Sequence, residues 1–265
     1  MPLSLAIVLL WAVAGLLAPW LPLDPETVHL ERILMPPWEG GGLGYDDLGR
    51  PLLDRLLLGT ATSFRVAFFT VSISAATGLF LGSLSGYLGG RFDAVMTRVI
   101  DVFLAFPGIL LAIALAAILG PGIDNVIFAL SLVGWVGFAR LARAQALSVR
   151  TREHVLAAEA LGTRPPRILL RHIVPLVSTP VLVEATFGVA SVIIAEASLS
   201  FLGLGVQPPA ASWGSMIRDG TRYLLVAPHL VLVPGLALFA VVLAVNLAGD
   251  WLRDRLDVRL GEGRA

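Results

Sequence analysis

The chain has 265 residues, of which 57% are hydrophobic and only 14% are charged, and its formal net charge is zero. Soluble domains average about 25% charged residues, so this composition excludes a disordered chain, a fibrous chain and almost any soluble enzyme. The balanced charge also argues against a nucleic-acid partner. The remaining class is a protein that crosses a membrane several times.

Two residue types are missing from the sequence. It contains neither cysteine nor lysine, and all 19 basic residues are arginine. Without cysteine there is no disulfide framework and no thiolate metal site. A Walker A phosphate-binding loop requires a lysine, so this chain is not a P-loop ATPase by itself. The four histidines are far apart in the sequence, and we predict no metal site.

Apolar stretches in six places are long enough for a helix to cross about 30 Å of hydrocarbon. They are apolar on all sides, which excludes the alternating strands of about 10 residues that form a membrane barrel. The predicted spans are residues 3–22, 66–86, 99–119, 125–146, 180–201 and 229–249.

The first span has a second interpretation, because Ala12-Val13-Ala14 would suit a signal peptidase. No arginine precedes this tripeptide, and the apolar run continues past it to Trp20. We therefore interpret the first span as an uncleaved anchor.

Arginines in the loops predict the orientation. The stretch from Arg140 to Arg171 contains seven arginines and two glutamates, which makes it the most positive loop, and we expect it in the cytoplasm. Six spans then place both termini in the cytoplasm. The stretch from Asp24 to Arg65 contains seven acids and four arginines, and we expect it outside.

These features predict a division of the chain into four parts. They are a first transmembrane helix at 1–22, an external segment at 23–65, a core of five spans at 66–250 and a cytoplasmic tail at 251–265. Within the core we expect a cytoplasmic loop at 147–178 and an external loop at 202–228.

Ionisable residues inside membrane spans are functional candidates by default, and here they are Asp101, Glu184 and Glu196. Glu196 either lines a polar pathway or is a paired structural carboxylate. Arg140 and Arg143 lie near the end of the fourth span, from which their side chains can snorkel to the interface. The candidate pathway residues are Glu196 and Ser200.

Small residues recur every four positions in the second span, at Ser74, Gly78, Gly82 and Gly86. Such a ridge on one helix face lets another helix approach closely. The partner helix belongs either to this chain or to a second membrane subunit, and the sequence favours neither.

Two short helices are predicted in the loop after the fourth span. The first ends at Gly162, a natural C-terminal stop, and Pro165-Pro166 can open the second. We expect Pro175 to break the chain before the fifth span. The pair has apolar surface with arginines between, so it either lies on the bilayer or docks into the groove of a cytoplasmic partner.

The spacing of Ala157-Ala158, Gly162 and, thirteen residues later, Pro175 resembles the EAA loop of ABC-importer permeases. From about residue 44 to residue 260 the chain resembles the dipeptide/oligopeptide/nickel permease family, in its second-subunit branch. The matching motifs are Gly44–Arg50, Ala105–Pro107, Gly134–Arg140, Glu196–Gly205, Gln207–Pro209, Ser212–Gly214 and Asn246–Asp250. The loop departs from the family motif at Leu156, His172 and Val174, where the family has Glu, Ile and Leu.

The resemblance implies an all-α membrane protein with six transmembrane helices and the type I importer permease, or MetI-like, fold. A coupling helix would lie between spans four and five. The residues of the ATPase-coupling loop would be Glu153, Ala157, Ala158, Gly162, Arg167 and Pro175.

The resemblance also implies one half of a heterodimeric pore for peptides or a related small solute, with nickel possible, in a bacterial or archaeal inner membrane. Its partners would be a second permease subunit, two ATP-binding subunits and an external solute-binding protein. ATP and magnesium would be bound by the ATP-binding subunits, and this chain would hold no cofactor.

An ion-coupled secondary transporter that uses Glu196 or Asp101 is the alternative. Such transporters are built from internal repeats with broken helices at the membrane midplane, and the halves of this sequence show no convincing repeat. An intramembrane hydrolase would need a nucleophile and a base in one motif, and none is present.

Overall fold

The computed structural model describes residues 3–40 and 42–256, and its regular elements are helical. The α-helices are α1 (Leu3–Leu17), α2 (Pro37–Gly40), α3 (Leu52–Leu88), α4 (Gly90–Leu104), α5 (Gly108–Leu119), α6 (Ile123–Val149), α7 (Glu153–Ala160), α8 (Pro165–Ile168), α9 (Val174–Phe201), α10 (Trp213–Thr221) and α11 (His229–Leu256). A π-helical segment, Leu169–Ile173, joins α8 to α9.

Five of the helical runs in the described ranges are long and apolar enough to cross a membrane. They are Leu3–Trp20, Leu52–Leu88, Ile123–Val149, Pro165–Phe201 and His229–Leu256. The pair α4 and α5 passes the same test together and forms a sixth span if it is counted as one. The sequence-based prediction of six spans agrees with this arrangement.

The third span differs in shape from the prediction. Instead of one helix over 99–119, α4 and α5 meet at a bend of 83°. The break falls at Ala105-Phe106-Pro107, because proline has no N–H to donate and its ring disfavours helical backbone at the residue before it. At the other end of α4, Gly89 and Gly90 have φ angles of 63° and 56°, and this left-handed pair separates α4 from α3.

The prediction that Pro175 interrupts the chain before the fifth span is wrong. The run from Pro165 to Phe201 is continuously helical, and Pro175 is the second residue of α9. The wider π turn over Leu169–Ile173 precedes this proline, and π segments commonly absorb such irregularities inside a helix. The predicted second short helix is therefore the beginning of the fifth span.

The described chain divides into two compact units, each built from three separate stretches. The first unit comprises, among the described residues, 3–40, 42–69, Ile113–Ala129 and Val189–Ala248. Its core surrounds Trp213, which is buried with Leu52, Ile193 and Leu230. The Trp213 indole N–H donates to the carbonyl oxygen of Leu56 at 3.1 Å, so the large side chain buries no unsatisfied donor.

The second unit comprises Thr70–Ala112, Leu130–Gly188 and, in the described part of the chain, residues 249–256. A small core of Ile100, Trp135, Val136 and Ala139 lies between α4 and α6. Residues 251–256 of the predicted cytoplasmic tail continue α11, and residues 257–265 lie outside the described part of the chain.

Candidate functional site

The loop after α6 contains α7, and α7 ends in a closed cap. The Gly162 N–H donates to the Glu159 carbonyl at 2.9 Å, and the Thr163 N–H donates to the Ala158 carbonyl at 3.0 Å. This pair of bonds is the Schellman motif, which requires left-handed backbone at the residue after the cap. Gly162 supplies it with φ of 77°, at the position where the sequence predicted the helix to stop.

One face of α7 is buried against its own chain, and the opposite face exposes apolar side chains. Val155 and Ala158 are buried, together with Ile168 and Ile173 from the following turns. Leu156 and Leu161 are exposed, and Leu161 keeps 86% of its surface accessible. Large apolar side chains exposed together outside the membrane spans are typical of a protein–protein contact. We call Leu156, Ala157, Ala160 and Leu161 the outer face of α7.

The predicted coupling residues fall into two groups. Glu153, Ala157, Gly162, Arg167 and Pro175 are exposed, so a partner protein can reach them. Ala158 is only 9% exposed, because it turns toward its own chain. Leu161 belongs to the apolar surface that the sequence predicted for the pair of short helices, and the structure leaves it exposed.

A group of charged side chains ties three helices together where α6 leads into this loop. The Arg143 guanidinium donates two hydrogen bonds to the Asp93 carboxylate, at 2.5 and 2.7 Å, and the Ser85 hydroxyl donates to the same carboxylate at 2.6 Å. Arg150 donates to the Gly86 carbonyl at 3.1 Å. Arg143 is therefore paired within the chain.

The small-residue ridge of the second span packs against α6 of this same chain. A Cβ built on Gly82 would overlap the Ala139 carbonyl oxygen and would lie 2.9 Å from the Ala139 Cα. A Cβ on Gly86 would lie 2.6 Å from the Arg143 carbonyl oxygen, and one on Gly78 would lie 2.7 Å from the Trp135 carbonyl oxygen. Of the two predicted partners, the helix within this chain is the one found.

The two predicted pathway residues contact each other and are closed off from solvent. Glu196 is 1% exposed, and its Oε1 accepts a hydrogen bond from the Ser200 hydroxyl at 2.7 Å. Its Oε2 has no hydrogen-bond partner. Neither side chain reaches a surface of this chain, and a pathway role for them stays a prediction. Asp101, the other acid of the secondary-transport alternative, is exposed on α4.

Buried ion pairs fix the segment ahead of α3. The Asp46 carboxylate accepts from Arg50 Nε at 2.7 Å and from the backbone N–H groups of Leu48 and Arg50, both at 2.9 Å. Arg55 Nε lies 3.3 Å from the same carboxylate. Burial, with the neighbouring Asp46 charge, raises the pKa of Asp47 above its usual value. The motif Gly44–Arg50 thus folds into a tight turn that is held by hydrogen bonds among its own residues.

Potential metal ligands are spread over the described part of the chain. Across residues 3–40 and 42–256, no three His, Asp or Glu side chains stand close enough together to hold a metal ion. The described residues do show membrane helices, close helix packing and a loop whose helix α7 exposes an apolar face. They describe a membrane protein with a loop that another protein can reach.

Comparison with known proteins identifies the class. Residues 78–262 match the family described as "Binding-protein-dependent transport system inner membrane component". The chain belongs to this family. The match includes the α3–α6 packing, α7 and the charged group around Arg143.

The permease has several similar relatives over most of its length. It is 40% identical to the di/tripeptide transport system permease protein DppC of Pseudomonas aeruginosa, over 97% of this chain and 87% of that protein. It is 39% identical to the nickel transport system permease protein NikC of Escherichia coli K12, over 97% and 94%. Its identity to the glutathione transport system permease protein GsiD of Pectobacterium atrosepticum is 40%, over 97% and 86%.

The fold is that of a type I ABC importer permease. A solved structure of the MetNI methionine ABC transporter in an inward-facing conformation aligns with a TM-score of 0.57. The alignment covers 77% of this chain and 95% of that chain, at 19% sequence identity. Together with the family match, this confirms the all-α permease fold and the ABC importer function predicted from the sequence, and it disfavours the secondary-transport alternative.

Glu184 lies on the wall of an open cleft in the permease. The cleft has a volume of about 490 Å³, and its polar side chains are Gln145, Thr179, Glu184 and Arg253. An exposed carboxylate on a membrane helix is stable only beside water, a polar cavity or a partner. The position of Glu184 in this cleft is consistent with that requirement.

We expect Glu196→Gln to leave the permease close to wild type and Glu196→Leu to destabilise it. Glutamine keeps a carbonyl oxygen for the Ser200 hydroxyl, whereas leucine leaves that buried hydroxyl without an acceptor, which costs about 1–3 kcal/mol. Thermal unfolding of the purified protein measures the difference. Ser198→Ala is the matched control, because the Ser198 hydroxyl bonds only its own helix, at the Ile194 carbonyl. Equal damage from glutamine and leucine would show that the charge itself is required.

Proposed function

We propose that this permease forms one half of a heterodimeric pore through which an ATP-driven importer moves a peptide or a related small solute. A second permease subunit completes the pore, two ATP-binding subunits drive it, and an external binding protein delivers the solute. ATP hydrolysis takes place on the ATP-binding subunits, which bind ATP and magnesium. This chain is then not an enzyme and holds no cofactor.

The outer face of α7 is the observation that carries this proposal. An eight-residue helix outside the membrane spans presents Leu156 and Leu161 to the surroundings, and its end is fixed by the Schellman cap at Gly162. A short helix with exposed apolar side chains fits the groove of a partner protein. We propose that α7 is the coupling helix and that its partner is one ATP-binding subunit.

Arginine distribution supports the orientation that this docking requires. Five of the seven arginines between Arg140 and Arg171 flank or follow α7 from Arg150 onward, and basic loops stay in the cytoplasm. We propose that α7 and both termini face the cytoplasm of a bacterial or archaeal cell. The external loop at 202–228, which contains α10, then meets the binding protein.

The relatives support the class of solute. Proteins named for dipeptide or di/tripeptide, glutathione and nickel transport are all about equally similar to this permease. Peptides and glutathione share amide groups and charged termini, and we propose solutes of this chemistry, with nickel as the inorganic member of the set.

Reconstitution tests this function and separates it from ion-coupled transport. The permease, its partner permease and the two ATP-binding subunits are placed in liposomes with the binding protein, and uptake of a dipeptide, glutathione and Ni²⁺ is measured separately. We expect uptake of one of these to require ATP on the side of the ATP-binding subunits and to survive an uncoupler. Uptake by this chain alone, driven by a proton gradient, would refute the proposal.

A further inference from the structure

The charged group around Arg143 joins the coupling loop to three membrane helices. Arg143 and Arg150 lie on the last turns of α6 and just beyond its end, Ser85 lies at the end of α3, and Asp93 lies in the first turn of α4. All the bonds among them fall within one compact unit of the chain. The group therefore lies where movement of the loop would first reach the membrane helices.

A second contact connects this group to α7. The Tyr87 side chain, next to Gly86 on α3, faces the carboxylate of Glu159 on α7. α7 also contacts the helical turns that begin the fifth span, and its Val155 and Ala158 side chains are buried. The end of α3 thus lies near Glu159 of the coupling helix and, through Ser85, is hydrogen-bonded to the Asp93 carboxylate.

Close packing leaves little room for α3 and α6 to slide past one another. The Gly82 and Gly86 backbones approach α6 so closely that even a methyl group would meet backbone atoms. Interfaces packed in this way move as bodies and do not deform continuously. α4 lacks such a glycine ridge, and hydrogen bonds to Asp93 join its first turn to both neighbours.

Two hydrogen bonds join the Arg143 guanidinium to the Asp93 carboxylate, so this pair is both directional and strong. Paired N–H···O bonds from a guanidinium fix the relative orientation of two side chains, and charged hydrogen bonds are stronger than neutral ones. The Arg143 and Asp93 side chains are 29% and 17% exposed, so they are more shielded from water than Arg65 and Asp124, at 53% and 85%. The Asp93–Arg143 pair therefore holds its two helices together more strongly than the exposed Arg65–Asp124 pair does.

We propose that the Asp93–Arg143 pair is a positioning clamp that makes α4 follow the coupling loop, so that closure of the ATP-binding subunits reaches the bent α4–α5 span. The inference rests on the proposed function, since it assigns the clamp to the transmission step of that transport. Without the pair, α7 and α6 still move, while α4 lags behind them.

The test compares uptake with ATP hydrolysis in the reconstituted complex. Asp93→Asn removes the charge, Asp93→Glu keeps it, and Asp124→Asn breaks the exposed Arg65 pair as the matched control. For Asp93→Asn we expect an assembled complex whose ATP hydrolysis stays within about twofold of wild type, while solute imported per ATP falls about fivefold or more. Asp93→Glu should recover most of that ratio, and Asp124→Asn should not change it.

Several results would contradict the proposal that the Asp93–Arg143 pair is a positioning clamp. They are an unchanged ratio of uptake to ATP hydrolysis in Asp93→Asn, a parallel loss of both activities, a complex that no longer assembles, and an equal effect of Asp124→Asn. The first shows that the pair does not transmit, and the next two show that it only supports the fold. A wild-type complex without ATP-driven uptake would instead refute the proposed function, so the two failures are distinguishable.

Discussion

Leu161→Asp should reduce solute uptake by at least about tenfold while the permease still folds and inserts, because apolar side chains at the centre of an interface carry most of its binding energy. Leu161 contacts little of its own chain, being 86% exposed. A carboxylate there would be stripped of water on docking, and burial of an unpaired charge is costly. The measurement is co-purification of the ATP-binding subunits together with uptake in vesicles.

Leu225→Asp is the matched control for this prediction. Leu225 is 99% exposed, in the short connection between α10 and α11. The same substitution there should leave association with the ATP-binding subunits unchanged. If the Leu161→Asp permease still bound the ATP-binding subunits and imported solute normally, the outer face of α7 would not be part of the interface.

Gly82→Ala should destabilise the permease by about 1–3 kcal/mol, the usual cost of adding atoms to a packed contact. The added methyl group would overlap the Ala139 carbonyl oxygen, and a backbone atom cannot rotate away as a side chain can. α3 and α6 would have to separate along the whole Gly78–Gly86 ridge. The expected result is a lower thermal midpoint and less assembled complex.

Gly137→Ala provides the comparison, since it makes the same change within α6. A Cβ at Gly137 would have no atom within 4 Å. The substitution should therefore be neutral or stabilise the helix by about 0.5–1 kcal/mol, because alanine restricts the unfolded chain more than glycine does. Equal stability of the two variants would contradict the packing of α3 on α6.

The membrane helices were predictable because long apolar runs have no other stable form in a bilayer. The cap at Gly162 was predictable too, since few residues other than glycine accept the left-handed backbone that closes α7. The bend between α4 and α5 was predictable only in part. Pro107 indicates a break in the helix, but the angle of 83° depends on tertiary packing, which cannot be read from the sequence.

The charged clamp could not be read from the sequence, because Asp93 and Arg143 are 50 residues apart and neither belongs to a recognisable motif. Ala158 was expected on the docking side of α7, one helical turn before Gly162. An eight-residue helix with apolar side chains on both faces gives no periodicity that decides which face is buried. The structure decides it, since Ala158 is buried and Leu161 is exposed.

Photo-crosslinking from position 161 tests most directly whether α7 docks on an ATP-binding subunit. The chain has no cysteine, so Leu161→Cys and Leu225→Cys each create a single thiol for a photoreactive maleimide. We expect a crosslink to an ATP-binding subunit from position 161 and none from position 225, which an impermeant maleimide should label from outside. Labelling of position 161 from outside, or crosslinks from it to lipid alone, would contradict the assignment of α7 as the coupling helix.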